Sequence, residues 1–255
     1  MGVKLPGILP TKTLNWEDLK GKKIGVDASN AIYQFLSSIR QPDGTPLMDS
    51  KSRITSHLSG LFYRSLNLMQ KGLQICFVFD GAPPELKFLT QQARRERKEK
   101  AKEKYKQAKD KGDIGSMYKY SKQVTYLNNE MVSESKELIK ALGLPIIQSP
   151  QESDAQGAFV VERGDLWAFA SSDMDCLLHS CPRTIPNLTL SQKRKLPGGK
   201  FVYIQPELIE LKDVLDHLQI NQDQLIVLAI ISGTDYNPGG IRGIGPKKAL
   251  NLVKQ

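Results

Sequence analysis

The chain has 255 residues, 36 of them Lys or Arg against 27 Asp or Glu, for a net charge of +9. That length supports one large domain, or a domain with an appendage, around a sizeable core. Three Cys and three His without paired spacing do not support a disulfide framework or a zinc site, and with no secretory signal or membrane-length apolar stretch the sequence reads as soluble and intracellular.

Ile24-Gly25-Val26-Asp27 is a short apolar run stopped by an acid, which predicts a buried strand with Asp27 at its carboxyl end. Ile75-Cys76-Phe77-Val78-Phe79-Asp80 repeats the design. From Pro83-Pro84 to Lys111-Gly112 the chain turns polar, and between Lys87 and Lys122 thirteen Lys or Arg face five acids, so nearly all the excess charge lies there. No apolar period predicts a buried face in this segment. One reading is a solvated helix laced with Glu-Lys pairs. Its start directly after Asp80 supports another, a basic helical excursion above the acids that suits a phosphodiester backbone.

Further on, Leu144-Pro145-Ile146-Ile147 and a Ser149-Pro150 turn precede Glu152 and Asp154 at the start of a predicted helix. Leu166 to Ser172 reads as another strand, followed by Asp173-Met174-Asp175, and the helical run Gln224 to Ile231 is followed by Asp235. Gly239 to Ala249 holds a glycine-rich turn beside Arg242, Lys247 and Lys248, with Pro246 suited to the first position of a helix whose amino end favours an anion. No G-x-x-x-x-G-K-[ST] loop occurs, which argues against ATP use.

Any one of these acids alone is more often a helix cap or turn former. In an open parallel sheet, however, ligands bind outside the carboxyl ends of the strands, so acids placed there from separate strands meet. Gathered carboxylates repel unless cations sit among them, which points to a divalent-metal enzyme using Mg²⁺ or Mn²⁺. An aspartyl phosphohydrolase would need a D-x-D pair after the first strand, yet Asp27 is followed by Ala28-Ser29. A DNA-binding scaffold without catalysis would be free to lose acids. The acids alone do not separate a deoxyribonuclease from a ribonuclease.

Several segments closely resemble the structure-specific flap endonucleases, the archaeal and eukaryotic branch of the 5′-nuclease superfamily. They include Val26-Asp27-Ala28-Ser29, Arg40-Gln41-Pro42-Asp43-Gly44, Val78-Phe79-Asp80-Gly81, Pro83-Pro84-Glu85-Leu86-Lys87, Lys193-Arg194-Lys195-Leu196-Pro197, Gly233-Thr234-Asp235-Tyr236 and Arg242-Gly243-Ile244-Gly245-Pro246. The resemblance implies an α/β fold with a central largely parallel sheet flanked by helices, a PIN-like 5′-nuclease core carrying a helical arch and a C-terminal helix-two-turn-helix element. The single domain would divide into a nuclease region at 1–82, a basic arch at 83–124, an internal nuclease region at 125–220 and a DNA-gripping region at 221–255.

It also implies a two-metal hydrolase that cuts 5′ flaps, with 5′-3′ exonuclease activity, in DNA replication, Okazaki fragment processing and repair. Asp27, Asp80, Glu152 and Asp154 would mostly serve one Mg²⁺ and Asp173, Asp175 and Asp235 the other, with room for a central acid to be shared, Mn²⁺ as a substitute and K⁺ at the helix-two-turn-helix turn. Lys87 and Arg94 would reach the scissile phosphate. Gly2, Tyr33, Arg40, Thr55, Arg64, Arg95, Arg97, Arg194, Arg242, Gly243, Gly245, Lys247 and Lys248 would contact DNA. By spacing alone, Tyr33 reads instead as a core aromatic. The expected partner is branched DNA bound by a monomer, in the cytoplasm of an archaeal source or the nucleus of a eukaryotic one, with no membrane.

Three departures stand out. Asp154 occupies a position where the family usually has Glu, a side chain shorter by roughly 1.5 Å of carbon–carbon bond. His179-Ser180 stands where Phe-Gly is usual. The sequence ends at Lys254-Gln255, before the tail with which relatives bind the sliding clamp, and leaves clamp binding open.

Overall fold

The computed structural model describes residues 5, 9–124, 126–188, 193–195, 199 and 201–255. In chain order the elements are β1 (Lys12–Thr13), β2 (Lys23–Asp27), α1 (Ala28–Ser38), α2 (Ser56–Gln70), β3 (Gln74–Phe79), α3 (Phe88–Asp110), α4 (Ile114–Val124) and α5 (Asn129–Ala141). There follow β4 (Ile146–Gln148), α6 (Ser153–Glu162), β5 (Ala168–Ala170), α7 (Asp175–Leu178), β6 (Arg183–Thr184), β7 (Lys193–Lys195), β8 (Phe201–Tyr203), β9 (Glu207–Glu210), α8 (Leu211–Leu218), α9 (Gln222–Ser232) and α10 (Pro246–Val253).

Among the described residues the main sheet has the order β1-β9-β6-β5-β2-β3-β4. β2 runs parallel to both β3 and β5, with Val26 beside Phe77 and Ala170, and β4 and β6 extend the parallel set. β9 and β1 close one edge antiparallel, and β7 and β8 form a separate antiparallel pair. The expected mixed fold with a largely parallel sheet is therefore present. The first crossover carries the chain from β2 to β3 on one side, and β5 later joins β2 on the other. Asp27 thus ends the central strand, where ligands of open α/β sheets bind.

The central parallel strands β2, β3 and β5 are apolar on both faces because helices cover both. Ile75, Phe77 and Phe79 point into a core shared with Ile24, Val26, Ile32, Phe35, Leu61 and Ile139 beneath α1, α2 and α5. The alternate residues Cys76 and Val78 join Phe169, Val161, Cys176, Leu177 and Leu228 on the opposite face. Each fully buried Leu, Ile or Phe contributes roughly 1.5–3 kcal/mol of transfer free energy, offset by lost chain entropy. Gly157 sets the height of α6: a Cβ there would stand 2.4 Å from the Phe169 ring, so only a glycine lets this helix settle onto the sheet.

The basic segment forms α3, a 23-residue helix, which packs against α4. The expectation that it buries no face is corrected at Thr90, Ala101 and Ala108, which are buried. Two alanines at helical spacing make a seam too small to register as an apolar period. Among the described residues no helix is long and apolar enough to cross a membrane.

Candidate active site

The seven acids all line one cleft of about 430 Å³, together with Tyr33, Gly81, Lys87, Gln91 and Arg94. The central strand supplies Asp27, which is 6% exposed and caps α1: its Oδ1 accepts from the Asn30 N–H at 3.0 Å and its Oδ2 from Ser171 Oγ at 3.1 Å. β3 supplies Asp80, whose Oδ1 accepts from the Ser153 N–H at 2.8 Å at the amino end of α6. That bond joins the strand end to the helix that carries Asp154 in its first turn, with Glu152 at the N-cap. Gly81 permits the joint, since its N–H donates to the Gln151 carbonyl at 2.5 Å and an added Cβ would stand 2.3 Å from the Ser149 oxygen.

β5 delivers Asp173, and Asp175 opens α7. Asp235 comes from the turn after α9 and faces the base of α3, where Thr90 Oγ1 donates to the Asp235 carbonyl at 2.5 Å. Lys87, in a short 3-10 turn leading into α3, pairs with Glu152 and lies 3.9 Å from Asp235 Oδ2. Arg94, two turns along α3, pairs with the Asp235 carboxylate. The Tyr236 hydroxyl donates to Glu152.

Crowding shows in the proton affinities. Burial, with Asp80 and Asp173 nearby, pushes the Asp27 carboxyl up to about 7 against the hydrogen bonds from Asn30 and Ser171. Asp154 is driven well above the usual carboxylate range, first by burial and then by Asp27, Asp175, Asp173 and Asp80. Burial also raises the Tyr236 hydroxyl, with Glu152 beside it, and lowers the His179 imidazole.

Among the described residues no group of three or more His, Cys, Asp or Glu side chains is already gathered as a metal-holding cluster, so the acids share a cleft rather than a closed ligand shell. The donor set nevertheless fits divalent ions. Asp154 Oδ1 is buried without a hydrogen-bond partner among four other carboxylates, a position that a hard cation would compensate.

Other predicted residues lie elsewhere. Tyr33, read by spacing as a core aromatic, is instead 40% exposed in the cleft wall, with Lys98 5.7 Å from its ring centroid. Arg95 and Arg97 project from the exposed face of α3 and do not line the cleft. Arg40 follows α1 and donates to the Gly44 carbonyl at 2.8 Å, while Thr55 and Arg64 sit at the start and middle of α2. Arg242, Gly243, Gly245, Lys247 and Lys248 surround the amino end of α10, where Pro246 takes the first position as expected and Gly243 has φ 82°. Lys248 Nζ donates to the Gly243 carbonyl at 3.2 Å. Gly2 and the Arg194 side chain lie outside the described residues. Sequence reasoning missed Tyr236 and Thr90, because only the fold sets them opposite Glu152 and Asp235.

This arrangement has known counterparts. Residues 1–101 match the XPG N-terminal domain and residues 143–235 the XPG I-region. Flap endonuclease 1 of Pyrococcus abyssi is 54% identical over 255 residues, covering all of this chain and 74% of that protein. The chain belongs to the flap endonuclease family. Flap endonuclease 1 of Staphylothermus marinus is 52% identical and is likewise covered over 74% of its length. Among solved structures, flap endonuclease-1 from Methanococcus jannaschii matches with a TM-score of 0.76 and 45% identity, over 99% of this chain and 77% of that one. The catalytic core of Rad2 in complex with DNA substrate matches at 0.69 and 26%, over 96% of this chain and 64% of that one. The central sheet of this flap endonuclease is thus the PIN-like nuclease core.

Proposed function

We propose that this flap endonuclease hydrolyses the phosphodiester bond at the base of a 5′ flap in branched DNA, in replication and repair. The observation that carries the reading is the single cleft into which seven acids and two cations from opposite ends of the chain converge. Asp27, Asp80, Glu152 and Asp154 would hold one divalent ion and Asp173, Asp175 and Asp235 a second. Mg²⁺ suits these oxygen donors and Mn²⁺ substitutes for it. When bound, such a pair supplies hydroxide near neutral pH and neutralises charge on the leaving oxygen.

The chain's own groups do the rest. Lys87 and Arg94, already paired with acids of the cleft, exchange those partners for the scissile phosphate and stabilise its developing charge. Attack of the water oxygen on phosphorus breaks the bond to the 3′ oxygen and leaves a 5′ phosphate and a 3′ hydroxyl. Tyr33 offers a face for an unpaired base beside the cut. Arg95 and Arg97 on α3, Arg40, Thr55 and Arg64 near α2, and the Gly243–Lys248 turn hold the flanking strands. In this reading 83–124 is the arch and 221–255 the duplex grip, between the nuclease regions 1–82 and 125–220, in an intracellular monomer. K⁺ at the Gly243 turn rests on the resemblance, and there the Gly243 carbonyl already accepts from Lys248.

The test is cleavage of an end-labelled double-flap DNA and a matched single strand with Mg²⁺, with Mn²⁺ and with EDTA, against Asp173→Ala. Metal-dependent cutting near the flap base by the parent alone supports the reading. A flap that is bound but left intact with either metal overturns it in favour of a scaffold.

A further inference from the structure

The turn after α9 sends two side chains toward the cleft, and only one of them is an acid. Tyr236 follows Asp235, and its N–H donates to Thr234 Oγ1 at 3.1 Å, as does that of Asn237 at 3.2 Å. Asn237 Nδ2 in turn donates to the Ile230 carbonyl in α9 at 3.0 Å. The Tyr236 ring therefore stands on backbone fixed from two directions. Its hydroxyl donates to Glu152 Oε2, while Lys87 Nζ holds the other oxygen of the same carboxylate, Oε1. The Lys87 ammonium also lies 5.0 Å from the centroid of the Tyr236 ring. The three groups close a triangle in which each touches the other two.

Two properties of the triangle bear on catalysis. A lysine is a compact point charge on a flexible stem, and beside this many carboxylates it would settle on whichever acid is nearest. An aromatic face attracts the ammonium through the ring quadrupole without neutralising it and without taking its N–H donors. The ring thus locates Lys87 and leaves its charge available for a phosphate. The hydroxyl, meanwhile, fixes one oxygen of Glu152, so that the carboxylate keeps its orientation when Lys87 turns away. Hydrogen bonds to a charged acceptor are the stronger kind, and they orient ligands as well as stabilise them.

Resting on the function proposed above, we infer that Tyr236 is a positioning residue: its ring holds Lys87 over the cleft for the scissile phosphate, and its hydroxyl turns Glu152 toward the metal ion. The two parts separate by substitution, because Tyr236→Phe removes the hydroxyl and keeps the ring whereas Tyr236→Leu removes both.

The experiment measures single-turnover cleavage of the end-labelled flap, flap affinity, and calorimetric Mg²⁺ binding without DNA. The proteins are the parent, the two Tyr236 variants, Lys87→Ala, and Lys87→Ala combined with each Tyr236 variant. Tyr236→Phe is expected to bind Mg²⁺ roughly tenfold more weakly, the size of a lost hydrogen bond to a charged group. Tyr236→Leu is expected to cut about tenfold more slowly than Tyr236→Phe at saturating metal, with flap affinity within about twofold, as the loss of a cation–π contact to the largely buried Lys87 side chain implies. In the Lys87→Ala background that extra loss should vanish, since the ring then has no ammonium to hold. The inference is overturned if Tyr236→Phe binds Mg²⁺ like the parent. It is equally overturned if Tyr236→Leu cuts as fast as Tyr236→Phe, or if the ring's effect is the same with and without Lys87. A parent that binds the flap without cutting it strikes the proposed function instead, and the calorimetric comparison of Tyr236→Phe still decides the Glu152 contact.

Discussion

Replacing Gly81 with Ala tests how closely the cleft depends on one backbone contact. The added Cβ would stand 2.3 Å from the Ser149 oxygen, 2.4 Å from the Pro150 oxygen and 2.6 Å from the Pro150 carbonyl carbon. Ordinary contact begins at 3.4 Å, so the two loops must part by about 1 Å. The opposing atoms are main chain and cannot swing aside. Parting them stretches the Gly81 N–H bond to Gln151, at 2.5 Å, and the Asp80 bond to the Ser153 N–H, at 2.8 Å. Overpacking costs about 1–3 kcal/mol and a weakened hydrogen bond to a carboxylate about 1.5–3 more, so the loss should be about 3–5 kcal/mol. For a chain of this size that lowers the thermal midpoint by roughly 6–20 °C. The same displacement separates Asp80 from Glu152 and Asp154, and a misplacement of about 1 Å costs on the order of a hundredfold in rate. Thermal unfolding by circular dichroism and single-turnover flap cleavage, at a temperature where the variant is folded, read the two effects. A variant that melts within about 2 °C of the parent and cuts within about threefold of its rate would refute the reasoning.

Other outcomes are expected. Asp154→Glu lengthens the side chain by roughly 1.5 Å and should tighten Mg²⁺ binding in calorimetry, and an unchanged or weaker affinity removes the idea that Asp154 reaches its ion poorly. His57 is fully buried beside Glu134 at 3.2 Å, and burial holds its imidazole below the ordinary 6.5 although Glu134 pulls the other way. The folded state therefore takes up a proton less readily than the unfolded chain, so stability present above about 6.5 is lost as pH falls below it. The thermal midpoint should drop between about pH 7 and about pH 5, and less steeply in His57→Gln; parallel slopes would count against His57 as the cause. Ser180 sits at φ 61°, the left-handed region. Ser180→Gly should raise the midpoint by about 1–3 °C after the added freedom of the unfolded chain is set against the relieved strain, and a lowered midpoint contradicts this.

The strand-end acids were legible because parallel strands covered on both faces are written as unbroken apolar runs, and Asp27 and Asp80 each end one. Glu152, Asp154 and Asp235 were legible from their places beside a helix start and a helix end. The role of Ser180 came into view only with the backbone, which gives a physical reason for the glycine usual at that position. The antiparallel edge of β9 and β1 escaped notice because strands of two to four residues carry no usable period. Tyr33 misled because helical spacing cannot tell a face turned to the core from one turned to a cleft. Tyr236 and Thr90 carried no local signal, since their partners stand 84 and 145 positions away.

The cleft draws its acids from residue 27 to residue 235, and the last of them hangs on a turn held to α9 and α3 by a few hydrogen bonds. Nearly the whole chain must be in place before all seven acids face one another, so no excised piece inherits a diminished share of the chemistry. Conversely, the α9 turn need only fray for Asp235 and Tyr236 to leave together. On heating, nuclease activity should disappear no later than the far-ultraviolet signal of the sheet, which makes the reaction itself a probe of how firmly that turn is held.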